Sequence, residues 1–366
     1  MHTNQSTMNR ASTAAQAFPT QPISQAPNTA ANDRIHDFAN KAHPSAVDAP
    51  QDRERTLVVV DAACDMPSEW LADNDVAVLP IKLSVADWEL YDTHNEFDAM
   101  EFFRKDLSAR GSGASTTPLN PVETRDFIQS FLNERIDNVL QVTIAAGRSR
   151  IYMNSLAAMS QLTVIHNRVR RSIGNRSPFK TWVIDSETGF TGQAVLLAET
   201  VRQLNTGIAA AGVATSIEQL RSKVHTLMVP KDLFYLYKRA PEKGDRSLTW
   251  LSYNLAQALD IKPIVHAHAG LTEPLLKVRG HQEALDRAIA IASDHVTRGL
   301  IIRTVCASYA GNLEDIRTLK SYRYLREACH RHNVELVLST MSVTGGINVG
   351  IDAFSIAFAC DELIAQ

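Results

Sequence analysis

Three short apolar runs, each stopping on small or acidic residues, constrain this chain more than any other feature. Thr56 to Val60 (TLVVV) ends at Asp61, Val139 to Ile144 (VLQVTI) ends at Ala145-Ala146-Gly147, and Thr181 to Ile184 (TWVI) ends at Asp185-Ser186. Runs this continuous are buried on both faces, which a strand achieves inside a parallel sheet whose crossovers lay helices over both sides. The intervening segments agree. Ser68, read as an N-cap, opens a helix. Val76 to Leu83 (VAVLPIKL) reads as a second strand, and Asp98 to Ala109 and Pro121 to Arg135 carry helical apolar spacing. One helix follows Gly147 through Met159, and another follows Gly192 through Leu204. In such open sheets ligands settle beyond the carboxyl ends of the strands. Asp61, Ala145 to Ser149, and Asp185 therefore mark where a site would form.

Beyond about residue 215 the pattern changes. Ser216 to Thr226 reads as a helix leading into Leu227 to Val229, and Ile261 to Ala267 (IKPIVHA) and Pro274 to Arg279 (PLLKVR) read as short strands. Helix 281–297, strand 299–307, helix 315–331 and strand 334–340 follow, then a Gly345-Gly346 loop and the apolar strand Ala353 to Cys360. The expected fold class is α/β with two domains, which suits a chain of 366 residues. A parallel-sheet α/β/α N-terminal domain spans 55–220, and a smaller mixed-sheet α/β C-terminal domain spans 221–366. No fixed-period repeat is visible.

Residues 1–54 are different in kind. They are rich in Ser, Thr, Asn, Gln, Ala and Pro, and cannot bury enough apolar area to offset chain ordering. They read as a largely disordered extension, with a short helix compatible with Ile35 to Lys41 and too little arginine for a transit peptide. Limited proteolysis is expected to trim this tail and leave a stable core. A clear fall in melting temperature on deleting residues 1–50 would show instead that the tail docks onto the body.

Composition removes several function classes. Lys plus Arg number 37 against 40 Asp plus Glu, so the basic excess of a nucleic-acid binder is missing. No apolar run reaches the ~18 residues of a membrane span. Cys64, Cys306, Cys329 and Cys360 form no CxxC pair and read as reduced thiols of a cytoplasmic protein. No GxSxG, P-loop or GxGxxG signature occurs, so neither catalysis nor a cofactor is implied. His266 and His268 share one face of a strand with His281 nearby, but no acidic or thiolate complement accompanies them, and they read as ordinary exposed histidines with no metal. Asp61 and Asp65 flank a loop and read as turn braces.

What remains is a colinear series of segments: VVVDAACDMP (58–67), VLPIKL with Tyr91-Asp92, STTP (115–118), VTIAAGRSRIY (142–152), VIDSETGFTGQ (183–193), DIKPI (260–264), KVRG (277–280) and NVGIDAFSIAF (348–358). Together, over about 310 residues, they resemble the DegV family of bacterial lipid-binding proteins, some of which are the fatty-acid-carrying subunit of fatty acid kinase. The resemblance implies two α/β domains with one acyl chain in an apolar tunnel between them. It also implies a carboxylate head near the surface, and a separate kinase subunit as partner. On that reading the ligand is a long-chain fatty acid or related anionic lipid, and the chain is a carrier and not itself an enzyme.

Carried over by position, the family's first hydroxyl pair falls on Ser115 and Thr116, and its double serine falls on Ala145 and Ala146. Gly147 and Tyr152 persist, Ser149 keeps a further serine, and Arg148 and Arg150 replace a leucine and a glycine. Arg246 is the closest match to the family's arginine, and Asn348 stands where the family has a histidine. A carboxylate held by charge-assisted donors gains roughly 1.5–3 kcal/mol from each. The lost hydroxyls and imidazole therefore make Arg148, Arg150 or Asn348 the candidate substitutes, the other reading of the two arginines being a solvated helix start at a degenerate tunnel mouth. The same fold could also serve as a ligand-free protein-interaction or regulatory module, or as an enzyme related at fold level to the substrate domain of dihydroxyacetone kinase.

Overall fold

In the computed structural model the structure describes residues 54–109, 113–235 and 260–365. The expectations for the N-terminal extension before residue 54 and for Arg246 fall outside the described residues. Strands β1 (Thr56–Asp61), β2 (Val76–Leu79), β6 (Asn138–Thr143) and β7 (Lys180–Asp185) form one sheet in the order β2-β1-β6-β7. All three pairings are parallel. Helices α3 (Pro121–Gln129) and α4 (Ile151–Ser172) cover one face, where Phe127, Ile128, Met159 and Leu162 pack with Leu57, Val59 and Val139.

A second sheet is mixed. It contains β8 (Val224–Val229), β9 (Ile261–His268), β10 (Leu271–Arg279), β11 (Ile302–Tyr309), β12 (Glu335–Thr340) and β13 (Phe354–Ala359), ordered β10-β9-β8-β13-β11-β12. Only β11 and β12 pair parallel, through the crossover helices α8 (Leu313–Arg317) and α9 (Lys320–Arg331). Helix α7 (His281–Arg298) lies with α9 on the outer face, its Leu285 and Ile289 packing with Leu227, Phe354 and Phe358.

Helix α5 (Thr191–Asn205) lies between the two sheets, with α6 (Ala210–Leu220) beside it. Eleven consecutive residues of α5, Thr191 to Val201, are buried. Its Ala194 to Ala198 belong to one apolar cluster that takes Val60, Leu140 and Val142 from the parallel sheet and Ile302, Cys306, Ala357 and Ala359 from the mixed sheet. Asp61, fully buried, accepts from the Ile144 N–H (2.8 Å), the Ala63 N–H and the Gln193 side chain of α5. Burial pushes its pKa up to about 6 against the pull of those donors. Asp65 accepts from Ser308 Oγ (2.6 Å) and the Ser342 N–H, tying the loop after β1 to the mixed sheet. Both aspartates are turn braces.

Several elements depart from the sequence reading. VAVLPIKL is two strands: Pro80, with no N–H to continue a ladder, separates β2 from β3 (Ile81–Val85). β3 joins a small antiparallel sheet, β4-β3-β5, with β4 (Trp88–Asp92) and β5 (Ser115–Pro118), two strands the sequence reading did not foresee. Ser68 is not an N-cap. Pro67 holds that position, and Ser68 Oγ donates to the His94 carbonyl instead. The helix expected at Ser216–Thr226 is α6, ending at Leu220, because the β-branched stretch from Val224 is already in β8. The helix expected to stop at Met159 runs to Ser172, and the strand at 299–307 is shifted to Ile302–Tyr309. The Gly345-Gly346 loop is inside helix α10 (Val343–Val349), capped by Ser342 Oγ on the Gly345 N–H. Its two glycines are demanded by packing: a Cβ at Gly346 would lie 2.2 Å from the Phe103 ring.

Candidate functional site

The carboxyl ends of β1, β6 and β7 face the inner side of β8 and β9 across a cavity of about 440 Å³. Loop residues Ala63, Ile144 to Ser149 and Glu187 to Phe190 form one wall. Thr226 and Met228 of β8 with Val265 and Ala267 of β9 form the opposite wall. β3 and β5 contribute Ile81, Thr116 and Pro118, and α10 contributes Thr344, Asn348 and Val349.

Alternation along the strands explains the second wall. On β8, Thr226 and Met228 point to the cavity, while Leu227 and Val229 point to the α7 side. The first wall is held by backbone bonds. Ala145 N–H donates to the Thr188 carbonyl (2.7 Å) and Ala146 N–H to Asp185 Oδ1 (3.0 Å), so the loops after β6 and β7 are one unit. Thr188 and Thr226 share a hydroxyl–hydroxyl bond of 2.8 Å that joins this unit to β8. The hairpin between β9 and β10 turns through Ala269 and Gly270, both at positive φ (48° and 78°), as a two-residue type I′ loop does. Its Gly270 N–H donates to the Glu187 carbonyl, which sets Gly270, Leu271 and Thr272 along the cavity.

Eight of the ten residues picked from the sequence line this cavity: Thr116, Ala145, Ala146, Gly147, Arg148, Ser149, Arg150 and Asn348. Ser115 is beside Thr116 in β5, paired with Ser84, and does not line it. Arg246 lies outside the described residues. Arg150 is exposed and Arg148 half-buried at the start of α4, while Ala145 is buried. Asn348 donates from Nδ2 to the Thr344 carbonyl one turn back (2.7 Å).

Two features were missed. Thr344 is buried, lines the cavity, and its hydroxyl has no hydrogen-bond partner among the described residues. Such a group seeks a partner. Glu187, at the same cavity, is paired with Arg221 at 3.2 Å. Neither was legible, because Thr344 sits on a helix that the two glycines disguise and Glu187 gains its place only from the loop fold. Among the described residues the lining holds no histidine, cysteine or aspartate. The arrangement is a chamber with the apolar lining of Ile81, Ile144, Ile151, Phe190, Met228, Val265 and Val349, to which hydroxyls and the two arginines Arg148 and Arg150 are added. Chambers of ~300–1,000 Å³ with a few convergent polar groups hold small molecules of mostly apolar surface.

Comparison with known proteins places this chain. A DegV domain-containing protein of Xanthomonas campestris pv. campestris is 36% identical over 307 residues, covering 84% of this chain and 98% of that protein. A protein of Thermotoga maritima named fatty acid-binding protein is 22% identical over 306 residues, covering 81% of this chain and 98% of its own length. Among solved structures, a DegV lipid binding protein from Thermotoga maritima superposes with a TM-score of 0.66 at 17% identity, covering 85% of this chain and all of that one. The Streptococcus pneumoniae fatty acid kinase B3 protein, loaded with linoleic acid, gives 0.60 at 17% identity, covering 84% of this chain and all of that one. The family model described as "Uncharacterised protein, DegV family" matches residues 55–361. The chain belongs to the DegV family.

Proposed function

We propose that this protein binds a long-chain fatty acid or a related anionic lipid, its acyl chain in the cavity and its head at the Arg148–Arg150 end. The observation that carries the reading is the mostly apolar chamber between the strand ends of the parallel sheet and the inner side of β8 and β9, with two arginines and several hydroxyls among its lining. We read it as lying between two α/β domains, 55–220 and 221–366. Each buried methylene contributes about 0.8 kcal/mol, so the chain supplies affinity and the head group supplies orientation. The relatives described as fatty-acid-binding, and the solved neighbour loaded with linoleic acid, support the same ligand class.

The head site is altered. Ala145 and Ala146 offer backbone N–H groups already spent on Thr188 and Asp185, so they cannot replace serine hydroxyls. Arg148 and Arg150 supply charge there, and Thr116, Ser149 and the unpartnered Thr344 hydroxyl supply neutral donors. A guanidinium pair accepts phosphate as readily as carboxylate. The chain is read as a carrier that presents its ligand to a separate fatty acid kinase subunit, not as the catalyst.

Native mass spectrometry of the purified protein is expected to find one acyl species per chain. In calorimetric titration with a palmitate-length fatty acid, the double variant Arg148→Ala, Arg150→Ala is expected to lose roughly 2–4 kcal/mol, the scale of one or two charged hydrogen bonds. A change within about 0.5 kcal/mol, as for ordinary surface substitutions, would place the head group elsewhere.

A further inference from the structure

Behind the cavity, on the α7 side of the same two strands, three histidines meet. His225 of β8 and His266 and His268 of β9 each bring one ring nitrogen within 4.8 Å of the other two. The register explains the meeting. β8 and β9 run antiparallel with Thr226 opposite Ala267 and Leu227 opposite His266, which sets His225 opposite His268. His266, two residues from His268, is on the same face. Thr226 and Ala267, on the other face, line the cavity. His225 and His266 are buried and His268 is half-buried. This corrects their reading as ordinary exposed histidines, and His225, not His281, completes the group.

Backbone carbonyls only accept, so the partners of the rings fix where protons sit. His225 Nε2 donates to the Cys360 carbonyl (3.3 Å), which leaves a lone pair on its Nδ1. His268 Nδ1 donates to the Val224 carbonyl (3.0 Å), which leaves a lone pair on its Nε2. His266 Nε2 stands 3.0 Å from His225 Nδ1. Two of three rings thus have one nitrogen anchored on a carbonyl and the other open, the arrangement that orients metal-ligating histidines. The third, His266, frees its Nε2 lone pair by moving its proton from Nε2 to Nδ1, with no net proton released. Glu273 of β10 is opposite His266 in register, on the same face and exposed, but only the three histidines form the 4.8 Å group, so a fourth position is left to solvent.

We propose that His225, His266 and His268 form a binding site for a divalent first-row transition ion of the zinc class. Three neutral imidazoles with a fourth position left to solvent are a ligand set such ions take. Burial and mutual repulsion hold the pKa of His225 down to about 3, and burial and His268 hold His266 down to about 4, so both rings offer lone pairs at neutral pH. The rings stack within 12° of parallel, His225 on His268 at 4.2 Å between centroids. Coordination therefore requires them to fan apart, and His268 at the rim has the freedom to turn.

The test uses the full chain, stripped with chelator and titrated with Zn²⁺ by calorimetry and by thermal melts. Wild-type protein is expected to bind one equivalent and to melt higher with Zn²⁺. His268→Ala, at the half-buried rim, and His266→Gln are expected to keep the fold by circular dichroism. Both should weaken binding by at least about 100-fold, the upper end of what loss of a mere supporting contact costs, and lose the Zn²⁺-dependent rise in Tm. Equal Zn²⁺ affinity in wild type and both folded variants, or no stoichiometric binding by wild type, overturns the site. Fatty-acid binding is read separately and does not enter either outcome.

Discussion

Gly147→Trp is expected to abolish acyl uptake while leaving the melting temperature close to that of the wild type. A Cβ at Gly147 meets nothing within 4 Å, so the backbone tolerates a side chain. The residue lies on the exposed turn between Ala146 and Arg148, and all three line the cavity. An indole placed there, between two other lining residues, is expected to compete with the ligand for the cavity space beside Ala146 and Arg148. It displaces ligand volume without touching the sheet below. Titration with a fluorescent long-chain fatty acid measures the effect, with a loss of two orders of magnitude or more expected, about 3 kcal/mol. Undiminished binding by the folded variant would move the ligand away from this loop.

Gly192→Ala is expected to destabilise the fold strongly. Its Cβ would lie 2.2 Å from Thr226 Oγ1 and 2.4 Å from Thr188 Oγ1, the two hydroxyls that bond each other across the two sheets. Both threonines are buried, and Gly192 begins the helix packed between the sheets, so neither side can retreat cheaply. Overpacking of ~1–3 kcal/mol combines with a lost buried hydrogen bond of ~1–3 kcal/mol, for a total of about 2–6 kcal/mol. Urea unfolding at constant m-value reports it. Adding Thr226→Ala to the variant should restore part of the loss, since one of the two clashes disappears. A cost below about 0.5 kcal/mol would mean that the first turn of the helix shifts freely.

The central strands β1 and β6 were readable because burial on both faces leaves no polar alternation to confuse them. The half-buried edge strand β7 was readable from its apolar run. β1, β6 and β7 appear in the sequence almost as they stand in the structure. Errors arose where one residue does a tertiary job. Pro80 splits an apolar run between two sheets, and Gly345 and Gly346 look like a loop because only Met341 and Phe103, distant in sequence or hidden by the fold, explain the missing side chains. The cavity-lining loops were found through motif order, since eight of ten chosen positions surround one chamber. Thr344 was not found, because its significance is an unsatisfied hydroxyl and satisfaction is a property of the packed state. The histidine group was half found. His266 and His268 share a period visible along one strand, whereas His225 joins them through a register set 41 residues away.

Helix α5 gives these observations a kinetic meaning. Because its side chains complete the interior of both sheets at once, the two halves of the chain cannot part like a clamshell without exposing that shared interior to water. Melting should accordingly be one event and not two. A ligand in the cavity is expected to exchange at the rim and not by hinge opening. There the Ala269–Gly270 turn rests on the Glu187 carbonyl by a single backbone bond. If a lipid is bound there as proposed, its residence time is expected to follow local fluctuations of such rim contacts while the rest of the molecule stays closed.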